Sequence, residues 1–95
     1  MKYLIVDGML SGTGIRDATE GGYLSPEDLG VSSDLSQKIS RWLACYEEAH
    51  FDQFEDQTLV GNLDLEGLEI RRLLEVELPE SKIHYFSNAK MKRLA

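Results

Sequence analysis

A chain of 95 residues, 42% apolar and 28% charged, supports one hydrophobic core and one domain, residues 1–95, and is too apolar to remain disordered. Its 17 carboxylates against 10 basic side chains leave a net charge of -7, a field that repels nucleic acid and anionic membrane surfaces and draws in a basic partner. The single Cys45 excludes an internal disulfide, and no apolar run approaches the ~20 residues that span a bilayer.

Tyr3 to Val6 is a compact β-forming run closed by Asp7-Gly8, which predicts a buried strand with Leu10 as its outer limit. The apolar part of Met1 to Asp7 is too short for a secretory signal, so a cytoplasmic location is the expectation. Four glycines between Gly12 and Gly22 predict an irregular surface loop, the kind of segment on which binding residues sit. Ser25-Pro26-Glu27-Asp28-Leu29-Gly30 spells a single helical turn, with a capping serine, a proline at the first position and a glycine stop.

A long helix is predicted from Ser32 or Ser33, because Leu35, Ile39, Trp42, Leu43, Tyr46 and Ala49 recur at helical spacing. His50 to Gln57 has no period and reads as a corner. A second helix is expected from Asp56 or Gln57 to Leu78, where Pro79 ends it. Leu59, Leu63, Gly67, Ile70, Leu74 and Leu78 share its inner face, and Gly67 there predicts close approach of another backbone. Lys82 to Phe86 is a second strand, and Ser87 to Ala95 a basic tail ending in a helical turn pinned by Met91 and Leu94. The fold expected is α+β, of order β-loop-α-α-β, with a two-stranded sheet from the chain ends packed on a helical hairpin.

Between Trp42 and Ile70 stand eight carboxylates, Glu47, Glu48, Asp52, Glu55, Asp56, Asp64, Glu66 and Glu69, and no Lys or Arg. Solvated helix faces usually intersperse both signs, which stabilises them through pairs one turn apart. This run lacks such pairs, so it is a candidate surface for cations of another molecule. Tyr46, Phe51 and Phe54 lie among the acids as candidate anchors, the aromatic type that interface centres favour. The expected partner-binding set is Glu47, Glu48, Phe51, Asp52, Phe54, Glu55, Asp56, Glu66 and Glu69. Packing accounts for Tyr46 as core and for Phe51 folded under the corner, and it accounts least well for Phe54.

Other constellations are thinner. Asp7 and Asp17 flank glycine-rich backbone, as in metal-dependent phosphoryl chemistry, but the loop has neither the lysine nor the spacing of a phosphate-binding loop. Arg16 pairing with one of these aspartates is the structural expectation. His50 and His84 have no Cys or His at metal-ligand spacing, so no metal, cofactor or catalytic residue is expected. Cys45 has the setting of inert packing, and the basic tail is expected to answer the chain's own acids or lie over the sheet.

Leu10 to Asp17, the Trp42 to Glu48 helix and Leu63 to Ile70 together resemble small bacterial immunity proteins of contact-dependent growth inhibition and polymorphic toxin systems. The resemblance implies a cytoplasmic, non-enzymatic protein that binds one toxin domain, often a basic nuclease, and occludes its active site. Two other functions stay open from the residues: a small metal-dependent phosphoryl-transfer or hydrolytic enzyme using Asp7 and Asp17, and a structural subunit whose surplus Leu65, Leu68 and Leu73 face another chain.

Overall fold

The computed structural model describes residues 2–95; Met1, where the leader expectation begins, lies outside them. The order of elements is β1 (Tyr3–Asp7), β2 (Ile15–Asp17), α1 (Ser33–Phe51), α2 (Gln57–Glu77), β3 (Lys82–Ser87) and β4 (Lys92–Arg93). The class is α+β, two helices on one face of a mixed sheet. The sheet has four strands in the order β2-β1-β3-β4, not two.

The central pair is the expected one. β1 and β3, from the two ends of the chain, lie parallel, with Tyr3 opposite Lys82 and Val6 opposite Tyr85. The loop between residues 8 and 24 is more regular than its glycines suggested. Gly14, at φ 94°, turns the chain back so that Ile15 pairs with Val6 and Arg16 with Ile5, antiparallel. Burial decides this, because Ile15 is fully enclosed and a loose surface loop would leave it in water. The tail likewise forms a short strand instead of a helical turn: Arg93 pairs with Phe86, and beyond it Leu94 N–H donates to Tyr85 O while Tyr85 N–H donates to Ala95 O. The segment after Ser25 makes turns that stop at Gly30, with Leu29 N–H bonded to Ser25 O at 3.3 Å.

Both long helices start where their caps predict. The Ser32 hydroxyl accepts from Leu35 N–H at 3.2 Å, and the Asp56 carboxylate accepts from Leu59 N–H at 3.0 Å. Glu77, in the last turn of α2, accepts from both Ser32 N–H and Ser32 O–H at 2.7 Å, tying the end of one helix to the start of the other. No helix among the described residues is long and apolar enough to cross a membrane.

Alternation sorts the strand side chains. Leu4, Val6, Ile15, Ile83 and Tyr85 point to the helices and join Leu35, Ile39, Trp42, Tyr46, Leu63, Ile70 and Leu74 in one core. Trp42 Nε1–H donates to Leu63 O at 2.9 Å, so the indole is both buried and satisfied. Gly67 does face a close neighbour, but that neighbour is the Tyr85 ring and not another backbone: a Cβ there would fall inside the ring's van der Waals envelope. Cys45 does not pack as expected; it is exposed.

Candidate functional site

The acidic run divides in two once it is folded. Asp64 leaves the surface altogether. It accepts from Tyr85 O–H at 2.6 Å and Ser87 O–H at 3.1 Å and pairs with Lys90 at 3.4 Å, which uses one of the tail's cations inside the fold. Burial of the phenol first, and then this carboxylate, push Tyr85 well above the ordinary tyrosine value. Glu66 pairs with Lys38 at 3.6 Å across the helices, and Glu69 takes Arg72 from one turn on, with Nη2 at 2.6 Å and Nε at 2.9 Å. Those two, expected among the binding residues, are therefore answered within the fold, because one α-helical turn and the α1–α2 packing bring in cations from just outside the run.

Glu47, Glu48, Asp52, Glu55 and Asp56 remain exposed, with no ion-pair partner among the described residues. They converge on the α1–α2 corner. Glu47 and Glu48 occupy the end of α1 and Asp52 is its cap, where the negative pole of the helix makes each further anion unfavourable by a few tenths to about 1 kcal/mol. Asp56 gives one oxygen to the first turn of α2 and keeps the other in solvent. Asp52, Glu55 and Asp56, with Phe51 and Gln53, line a shallow hollow of about 440 Å³.

The corner's aromatics exchange the roles expected of them. Phe54, thought least explained by packing, is half-buried, edge-on to His50 at 4.7 Å and to Tyr46 at 5.9 Å between ring centres. Phe51, thought to fold under, stands 72% exposed. The reason is the turn itself: Gln53 and Phe54 both adopt left-handed backbone, at φ 58° and 55°, and this reversal carries the later ring inward and leaves the earlier one on the helix's outer side. Two adjacent non-glycine residues in that region cost about 1–2 kcal/mol each. His50 anchors the corner to the sheet, its Nε2 lying 2.9 Å from Gly8 O.

Asp7 and Asp17 do not come together. Asp17 faces Leu4 in the ladder, three residues before Asp7, which separates the two by about 10 Å. Asp17 caps its own turn, accepting from Thr19 and Glu20 N–H, which holds its carboxyl below the usual range. Asp7 is only 1% exposed. Its Oδ2 lies 3.2 Å from Arg16 Nε, close enough for an ion pair though not aligned as a hydrogen bond, and Oδ1 accepts from Tyr23 O–H at 3.1 Å. Burial raises the Asp7 carboxyl above its ordinary value despite bonds from Met9 N–H and Tyr23 and the charge of Arg16. No group of three or more His, Cys, Asp or Glu side chains among the described residues is arranged to hold a metal ion.

The outer face of the sheet brings together a further set of residues that are scattered along the chain. Tyr3, Ile5, Arg16, Tyr23, Lys82, His84, Phe86 and Arg93 stand there, away from the helices. The signal that would have found them is strand alternation carried across four strands. No protein-family model and no curated protein matches the chain.

Proposed function

We propose that this chain is an immunity protein, a cytoplasmic inhibitor that binds a cognate basic toxin domain, a nuclease, as a monomer in a 1:1 complex. The observation that supports the reading is the corner of unpaired Glu47, Glu48, Asp52, Glu55 and Asp56 around an exposed Phe51. Stability is given up there twice, in anions at the negative end of a helix and in two left-handed residues, and functional surfaces are where such costs persist. The carboxylates take the place of nucleic-acid phosphates against the toxin's Lys and Arg side chains, which steers encounter and sets specificity. Phe51 enters an apolar site at the centre and slows release. The mechanism needs no metal, cofactor or catalytic residue of this chain.

Expression beside the basic toxin domain encoded by the neighbouring gene tests the reading. Wild type is expected to rescue growth and to bind with an on-rate that falls as salt rises; Glu47→Lys/Asp52→Lys is expected to lose rescue and most of the salt dependence. A neighbouring gene with no such domain, or equal rescue by the double variant, overturns it. The structural-subunit alternative keeps one supporting observation. Leu68 and Leu73 pack on the core, but Leu65 and Val76 are each 67% exposed on α2. Sedimentation as a monomer at micromolar concentration would remove that alternative. The enzyme alternative is left with Asp7 and Asp17 facing different parts of the ladder.

A further inference from the structure

The outer face of the sheet has a chemistry opposite to that of the corner. In strand register it forms rows: Tyr3 beside Lys82; Arg16 beside Ile5 and His84; Asp7 beside Phe86 and Arg93. Tyr23 bridges to Arg16 from the edge. Three cations thus alternate with four rings, counting His84, and the one carboxylate in the rows is Asp7, buried and turned to Arg16. Ile5, His84 and Phe86 are half-buried and Tyr3 is 45% exposed, so aromatic surface remains open between the charges. The helices cover only the other face of the sheet.

We propose that this face is a binding site for single-stranded nucleic acid. Bases stack on rings because every base has a π-face, and Lys and Arg between the rings take the phosphates; an acidic peptide uses the charges but leaves the rings idle. Arg16 is prepared for the task. Asp7 Oδ2 lies 3.2 Å from its Nε, and the Tyr23 hydroxyl is bonded to the same carboxylate, so the guanidinium is positioned over the sheet before any ligand arrives. A platform of this size accommodates about two or three bases. The net charge of -7 does not forbid it. At 0.1 M salt the screening length is about 10 Å, so exposed acids farther than that from the rows act on a bound strand only weakly.

Anisotropy of fluorescein-labelled oligo(dT) and oligo(U) of about ten nucleotides, titrated with the full chain at several salt concentrations, tests the site. Saturable binding is expected, with log K falling on log salt at a slope of about -1.4, from phosphate contacts to Lys82 and Arg93 at about 0.7 each. Lys82→Glu/Arg93→Glu should lose at least about tenfold in affinity and most of the slope; Tyr3→Ala should lose about tenfold with the slope unchanged. Lys82→Gln/Arg93→Gln replaces the charge-reversed variant if that protein does not fold. Failure to saturate at about 20 mM salt, wild-type affinity in the charge variants, equal binding of duplex DNA, or equal competition by poly-L-glutamate each overturns the proposal. The corner double variant Glu47→Lys/Asp52→Lys lies outside the site and should keep the effect of Tyr3→Ala, so this outcome is read independently of the toxin experiment.

Discussion

The helical corner and the outer sheet face both carry charges without ion-pair partners among the described residues, Lys82 and Arg93 on the sheet beside an Arg16 paired with Asp7, but they are assembled in different ways. The corner's carboxylates are neighbours along the chain, and α1 with its turn only has to stop. The sheet's cations come from residues 16, 82 and 93 and meet only because β1 lies between β2 and β3 and β4 follows on the other side. A charge cluster contiguous in sequence is visible before folding. One built by register is not, since each of its members looks like an isolated surface residue until strand order is known.

The strongest way to break the comparison is to remove the join between its two sides. Asp64→Ala takes away the acceptor for Tyr85, Ser87 and Lys90 in the buried layer between α2 and β3. It should cost about 3 kcal/mol, because it leaves polar groups buried without partners, and urea unfolding measures it. Both surfaces should then fail together. Gly67→Ala forces the Tyr85 ring aside and should cost about 1–3 kcal/mol in the same assay.

A smaller effect has the opposite sign. Glu47→Lys/Glu48→Lys places cations at the end of α1 and should raise stability by about 1 kcal/mol while removing toxin binding. If stability falls instead, the corner's acids are structural and the comparison loses one side. Alkaline pH sharpens the other side. Burial and the Asp7 charge push Tyr23 up to about 12, against 10.0 for the free side chain. The unfolded chain therefore loses that proton first: the contribution is whole below about pH 10 and is lost as pH rises to about 12. Tyr23→Phe should flatten part of that decline, leaving the part due to Tyr85, which shifts in the same direction. Circular dichroism of denaturant unfolding from pH 9 to 12 would show it. Smallest of all, Lys82→Gln/Arg93→Gln should leave stability within about 0.5 kcal/mol, as expected for exposed side chains without ion-pair partners among the described residues.

Periodicity and caps made both helices legible in the residues to within a position or two. Leu35, Ile39, Trp42 and Tyr46 announced α1, Ser32 and Asp56 the starts, and Pro79 the close of α2. The central strands were legible too, as short β-rich runs at the chain ends. What stayed hidden was whatever three residues or fewer could decide. β2 and β4 are too short to show alternation, and Gly14 supplies a turn where glycine alone says only that the chain is free to bend. The corner's acids were legible as a group, but not the cations that answer Glu66 and Glu69, since Lys38 reaches across from α1 and Arg72 stands just beyond the run. Nor was the exchange between Phe51 and Phe54, which depends on two left-handed residues that no propensity favours.

The parallel pairing of Tyr3 with Lys82 also governs when this protein comes into being on the ribosome. β1 gains its antiparallel partner β2 early but has no parallel partner until β3 is synthesised after both helices, so α1 and α2 can coil early but have no completed floor to rest on. The central ladder, and with it the surface under both helices, closes only once β3 has been made, and a chain cut short before β3 would expose the undersides of both helices.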